Sequence, residues 1–195
     1  IHHNYIHDTG GEGMYIGNTK GYNGGVSCGG DYGKPHLIRG VRVYDNLLED
    51  IGWDGFQLNL AVEDVEVYNN TIRHYGLDKN TPRYQRTGMS VGGGTRGHIY
   101  NNKIIQDPAL ISETGSGLVL ISPLPEFYFY NNIIDGAGEH GIFFHQRLVD
   151  IDLNKGYYFF NNIIKDAIDD GIHLTNNTSE TGGRAMANGI WNNVI

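Results

Sequence analysis

Tyr130-Asn131-Asn132-Ile133-Ile134 decides the reading of this chain, because it recurs. Asn161-Asn162 comes before Ile164, Asn101-Asn102 before Ile104, Asn69-Asn70 before Ile72, and Asn192-Asn193 before Ile195. Asp45-Asn46 with Leu48 and His3-Asn4 with Ile6 are weaker copies. A second element accompanies the copies, a Gly that opens an alternating apolar run. It is seen in Gly13-Met14-Tyr15-Ile16, Gly55-Phe56-Gln57-Leu58, Gly88-Met89-Ser90-Val91, Gly117-Leu118-Val119-Leu120, Gly141-Ile142-Phe143-Phe144 and Gly171-Ile172-His173-Leu174. In four copies this Gly lies nine residues after the second Asn (4 to 13, 46 to 55, 132 to 141, 162 to 171). A recurring fixed offset is the mark of a repeat architecture.

The spacing between copies runs from 24 residues (46 to 70) to 42 (4 to 46), and is 30 or 31 in the last three steps. Apolar residues alternate at period two in runs rich in Ile, Val, Tyr and Phe, which predicts strands and excludes helical repeats. Each repeat holds three runs: one before the Asn pair, such as Val41-Arg42-Val43-Tyr44, one just after it, and the Gly-led one. Three strands per turn, with the turns stacked, predict an all-β right-handed parallel β-helix, a solenoid of six to seven coils with an Asn ladder. Asn suits the bend for two reasons. It tolerates the left-handed backbone region, and its amide can bond to the same amide one coil away. Coils are then expected about 4.8 Å apart.

The two-Asn bend, the following Ile and the Gly-led strand together resemble the repeats of pectate-lyase-like right-handed β-helix proteins, over nearly the whole chain. That superfamily includes polysaccharide lyases, glycoside hydrolases, uronate epimerases, phage tailspikes and non-catalytic surface proteins, so the resemblance speaks for fold and leaves activity open.

Composition narrows the classes. At 195 residues a single domain, 1–195, is expected. With 22 acidic against 14 basic residues the formal charge is −8, and no basic run exists to hold nucleic acid. No apolar run approaches the ~20 residues of a membrane helix. The lone Cys28 rules out an internal disulfide and a Cys-based zinc site. The chain starts at Ile1 and stops at Ile195 within coils, and solenoids need polar caps. The sequence reading therefore expects a fragment of a longer protein.

Three stretches interrupt the repeats. Residues 18–40 are Gly-rich and aperiodic and read as a long loop. Residues 76–87, with Lys79, Arg83, Tyr84 and Arg86, and residues 107–116 are insertions between an Asn bend and the next Gly-led strand. Binding residues gather on such loops. Thr178 to Ala187 reads as a further exposed loop.

In the resembled family, the Gly-led run is the strand on whose outer face most enzymes place their groove. The pattern itself supplies the outward columns: Tyr15, Gln57, Ser90, Val119, Phe143 and His173 two after the Gly; Gly17, Asn59, Gly92, Ile121, His145 and Thr175 four after; Glu12, Asp54, Thr87, Ser116, His140 and Asp170 just before. Two clusters emerge. Glu12 and Asp54, with Gln57, Asn59 and Trp53 nearby, put carboxylates on adjacent coils about 5 Å apart. That spacing suits a retaining glycosidase pair or calcium; equally, each acid can satisfy a turn amide beside its Gly. His140, His145, Arg147, Asp170 and His173 form the second cluster. It can act as a base near neutral pH, bind a transition metal, or be a polar ladder of ordinary cross-strand pairs.

Between them, Arg83 and Arg86 can recognise carboxylates bidentately, and Tyr84, Trp53 and Phe143 offer faces for sugar rings. Lyases of the resembled fold use Arg or Lys as base, with calcium. Their motif sets do not transfer: Asp169-Asp170-Gly171 matches part of one hydrolase group, and Asp107-Pro108-Ala109 lacks the His of the epimerase motif. The expectation is an extracellular or bacterial cell-surface domain that binds or cleaves an acidic polysaccharide, as lyase or glycoside hydrolase. Arg83, Arg86, His140, Asp170 and His173 are the catalytic candidates, with Glu12 and Asp54 for calcium. The alternatives are a non-catalytic structural or adhesin module carried by a larger protein or surface complex, and a phage tailspike.

Overall fold

The computed structural model describes residues 1–19, 26–28, 31–33, 35–146, 155–176 and 187–195. Its regular secondary structure is almost entirely strand. Three six-stranded sheets are each parallel throughout, and the chain visits them in rotation. The leading sheet holds the Gly-led strands Met14–Ile16, Phe56–Asn59, Met89–Gly92, Leu118–Ile121, Ile142–Gln146 and Ile172–Asn176. The tyrosine sheet holds the strands before the Asn pairs: Arg42–Tyr44, Glu66–Tyr68, Gly97–Tyr100, Phe127–Tyr130, Gly156–Phe160 and Ala187–Trp191. The trailing sheet holds those after them: Tyr5–Thr9, Leu47–Ile51, Thr71–Arg73, Lys103–Ile105, Ile133–Ala137 and Ile163–Ala167.

Register keeps like beside like. Ile72, Ile104, Ile134 and Ile164 are successive partners in the trailing sheet, and Val43, Val67, Ile99, Phe129 and Phe159 in the tyrosine sheet. All nine are buried in one continuous core. One repeat cannot cover its own apolar faces, so each depends on its neighbours.

The two properties the sequence reading gave to Asn are divided between the members of each pair. The first residue takes the left-handed backbone: φ is 57° at His3, 53° at Asp45, 55° at Asn69, Asn101 and Asn161, 56° at Asn131 and 53° at Asn192. These positions are exposed, so His and Asp can replace Asn there. The second residue is Asn in every copy. Its backbone N–H and Nδ2 both donate to Oδ1 of the corresponding Asn one repeat on. At Asn102 to Asn132 the distances are 2.9 and 3.0 Å, and at Asn132 to Asn162 they are 2.9 and 3.2 Å. The same pair of bonds links Asn4 to Asn46, Asn46 to Asn70, Asn70 to Asn102, and Asn162 to Asn193. An acid at this position would lack the Nδ2 donor.

The leading Gly is explained by a contact. A Cβ on Gly55, Gly88, Gly117, Gly141 or Gly171 would fall inside van der Waals distance of Cγ2 of Ile72, Ile104, Ile134, Ile164 or Ile195, respectively. The Gly and the Ile that follows the next Asn pair are thus two halves of one packing contact.

The insertions at 76–87 and 107–116 carry short 3₁₀ turns, Arg83–Gln85 and Ile111–Glu113. Residues 18–40, read from sequence as one loop, contain more structure than that. Val26–Cys28 and Asp31–Gly33 pair antiparallel, and Ile38–Arg39 runs beside Ala61–Glu63. No copy of the repeated motif marks these strands, which is why the stretch reads as a loop.

Candidate functional site

A groove of about 580 Å³ lies on the outer face of the leading sheet. Two of the outward columns form its floor. Gln57, Ser90, Val119 and Phe143 are successive cross-strand partners, as are Asn59, Gly92 and Ile121. All seven line the groove. Thr19 and Gly93 border it where the strands end. Asp54, Glu139 and the loop residues Tyr84 and Gln85 border it where they begin. Glu139 was not singled out from sequence, because the column read there was the residue directly before the Gly; the signal available was an acid two before Gly141.

Arg83 explains how the 76–87 loop stays over this edge. Its Nε donates to the carbonyl of Thr114 at 3.0 Å, and its Nη2 to the carbonyls of Gly138 at 2.6 Å and Ser112 at 3.3 Å. It also lies 3.9 Å from Glu139. Trp53 ties down the start of the loop by donating from Nε1 to Asp78 at 3.2 Å. Tyr84, 72% exposed, is left at the groove rim. Arg86 is 7% exposed, its Nε and Nη1 meet no hydrogen-bond partner, and it does not line the groove. The two guanidiniums expected to meet a uronate therefore point elsewhere, one onto backbone carbonyls and one into the protein.

On the floor, Asn59 is 5% exposed and its Nδ2 has no hydrogen-bond partner. A buried amide donor left unmade costs about 1–3 kcal/mol, and an acceptor in the groove would relieve that cost once the Asn59 side chain turns its covered Nδ2 outward. Asp54, 3% exposed, accepts from the backbone N–H and hydroxyl of Thr87, both at 2.9 Å. This is the turn-amide role weighed from sequence. Burial raises its pKa from the ordinary 3.8 to about 6 against the opposing pull of those two bonds, and nearby Glu12 pushes the same way. Glu12 and Asp54 gain no third acidic or imidazole ligand among the described residues.

The Asp54 shift carries a sign. The folded state binds the proton more tightly than the unfolded one, so this group's contribution is most favourable below about pH 4. It is lost as pH rises through 6, costing about 3 kcal/mol at most. Asp54→Asn keeps an acceptor for Thr87 without the charge. We expect it to raise the unfolding free energy at pH 8 by about 1–2 kcal/mol and to change it little at pH 4. Urea unfolding at the two pH values checks this; equal effects at both would contradict it.

The second cluster lies further along the same sheet. His173 Nδ1 is 2.6 Å and His140 Nδ1 3.4 Å from Asp170 Oδ2. The two imidazoles stack with centroids 4.4 Å apart, and Phe143 lies 5.4 and 5.5 Å from them. His145 pairs in register with Ile121 and Thr175 and lies beside Phe143 without lining the groove. Arg147 lies outside the described residues.

No protein-family model, curated protein or solved structure matches the chain. Function has therefore to be argued from the groove and the clusters.

Proposed function

We propose that the chain is a right-handed parallel β-helix of the pectate-lyase-like kind, with the Asn4-to-Asn193 amides as its ladder, and that its leading face binds a polysaccharide outside the cell or at its surface. The rotation of the chain through three parallel sheets supports the architecture, and crossovers between parallel strands are right-handed in nearly all proteins. One observation carries the binding reading: the buried, unpartnered amide of Asn59 on the floor of a groove that also offers Gln57, Ser90 and the rings of Tyr84 and Phe143. Amides and a hydroxyl match sugar hydroxyls, and flat rings match sugar faces.

The lining favours a neutral polymer over the uronate expected from sequence. Among the described residues it contains Asp54 and Glu139 and no Lys or Arg, and the nearby Arg83 is engaged by Glu139 and backbone carbonyls, so a uronate carboxylate would meet acids first. Cleavage is less well supported than binding. Asp54 and Glu139 stand three repeats apart, about 14 Å at the normal strand spacing, whereas paired glycosidase carboxyls lie within about 10 Å.

Titration calorimetry with neutral oligosaccharides (β-glucan, xylan, mannan and galactan fragments) and uronate oligomers tests the proposal. A neutral oligosaccharide is expected to bind, and Asn59→Leu to weaken it about tenfold, the effect of one lost hydrogen bond to a buried donor. Absence of binding by every saccharide sinks the reading. Preferential uronate binding returns it to the acidic-polymer form.

A further inference from the structure

Among the described residues, two groups bring three potential metal ligands together: His140, Asp170 and His173, and Glu49, Asp50 and His74. The second is already occupied by a side-chain cation. Arg73 Nη2 lies 2.7 Å from Glu49 Oε1, the Tyr5 hydroxyl donates to Glu49 Oε2 at 3.1 Å, and His74 holds Asp50 at 3.0 Å. The first differs in having no Lys or Arg paired with it among the described residues. Asp170 meets two imidazoles instead, and the Nδ1 atoms of both converge on the same oxygen, Oδ2.

We propose that His140, Asp170 and His173 form a binding site for a late first-row divalent cation, zinc above all. Two imidazoles with one carboxylate suit zinc, cobalt or nickel, whereas calcium and magnesium take oxygen ligands. This cluster therefore differs in chemistry from the calcium expected at Glu12 and Asp54.

The backbone fixes the three donors on adjacent repeats. His140 and Asp170 each precede a leading Gly, and the Gly141 N–H donates to the Asp170 carbonyl at 2.9 Å. His173 is the register partner of Phe143. The three ligand atoms lie within 4.8 Å of one another; bonds of about 2.0–2.1 Å to zinc require edges of about 3.3 Å. Side-chain rotation has to widen the 2.6 Å between His173 Nδ1 and Asp170 Oδ2, while His140 Nδ1 already lies 3.4 Å from that oxygen. It has a definite local consequence: imidazole lone pairs lie in the ring plane, so the stacked rings, 26° from parallel, must open. His140 Nδ1 must also give up the Asp170 N–H that donates to it at 3.3 Å. The His173 Nδ1 hydrogen bond to Asp170 Oδ2 is exchanged for the metal in the same way, and its proton is released to solvent. Three protein ligands leave at least one coordination position for water or a hydroxyl.

The site stands independently of the saccharide reading. Its test is calorimetric titration of the folded chain with zinc chloride, alongside the visible spectrum of the cobalt form. One ion per chain is expected. His140→Ala, His173→Ala and Asp170→Asn should each weaken binding at least about tenfold, the scale of loss seen even for residues that only support a metal ligand. His74→Ala should leave it unchanged. His2 and His3 need a control too, since their Nδ1 atoms are 2.8 Å apart; His2→Ala should also change nothing. Asp170 is exposed and the two imidazoles are partly exposed, and circular dichroism and melting on each variant separate lost binding from lost folding. No stoichiometric zinc binding by the parent chain overturns the proposal. So does binding that survives His140→Ala and His173→Ala, or that disappears with His2→Ala.

Discussion

Asn132→Ala is expected to lower the unfolding free energy by about 3–5 kcal/mol, while Asn131→Gly, one residue earlier, changes it by about 0.5 kcal/mol or less. The two side chains are adjacent and chemically identical, and their environments decide the difference. Asn132 is fully buried. Its Oδ1 is the acceptor for both the backbone N–H and Nδ2 of Asn102, and its Nδ2 donates to the carbonyls of Ile99 and Tyr130 and to Asn162. Truncation strips the Asn102 N–H of its acceptor and the Ile99 carbonyl of a donor, at about 1–3 kcal/mol each when buried. It also leaves a void. Asn131 is exposed, and its part is to hold φ at 56°, which Gly does without steric penalty at a small entropic cost. Urea denaturation of the two variants measures both numbers. Comparable losses would mean that the amide series contributes little.

Gly117→Ala should cost about 2–4 kcal/mol, and Gly11→Ala close to nothing. The added methyl at 117 would press on Cγ2 of Ile134 and approach the carbonyl oxygen of Gly141 to 2.9 Å. That oxygen accepts from the Leu118 N–H at 2.9 Å, so relief cannot come from moving it without loosening the pairing between repeats. At Gly11 nothing lies within 4 Å of the new methyl. A lowered denaturation midpoint with an unchanged slope is the expected readout at 117. If Ile134→Leu, which lacks the Cγ2 methyl, restores part of the loss in the same chain, the clash is located at that contact; if it adds its own cost in full, the contact is not the cause.

These two positions also show what could be read in advance. The Asn pair and the leading Gly are legible because each repeat must solve the same local problem at the same place, so the sequence repeats with the structure. Period-two runs such as Phe127-Tyr128-Phe129-Tyr130 reveal strands because one face is core. What the sequence obscured was cooperation across repeats. A second left-handed corner, at Asp8, Asp50, His74 and Asp166 with φ of 51–56° and at Gly136 with 88°, has no sequence signature because its residue type varies. The same holds for the rings of Tyr44, Tyr68, Tyr100, Tyr130, Phe160 and Trp191, which stack at 4.7–5.1 Å along the tyrosine sheet. Each ring looks ordinary in its own repeat, and the continuity belongs to the register.

The candidate site was partly legible for the same reason. The floor residues Gln57, Asn59 and Phe143 follow from counting along the leading strand. Loop residues do not, because no period governs them. Arg83 and Arg86 carried the charge a uronate would need, but the direction of the Arg83 side chain depends on the 107–116 insertion and on Gly138, far away in sequence, and Arg86 is buried. Glu139 reaches the groove by lying next to that same contact.

The central claim is that the second Asn of each pair, and not the first, joins one repeat to the next. Side-chain amide hydrogen exchange tests it most directly, read residue by residue by nuclear magnetic resonance under native conditions. The Nδ2 protons of Asn102, Asn132 and Asn162 should exchange only when the structure opens broadly, while those of Asn101, Asn131 and Asn161 exchange at rates close to a free amide. Equal, rapid exchange at both members of the pairs would contradict the account.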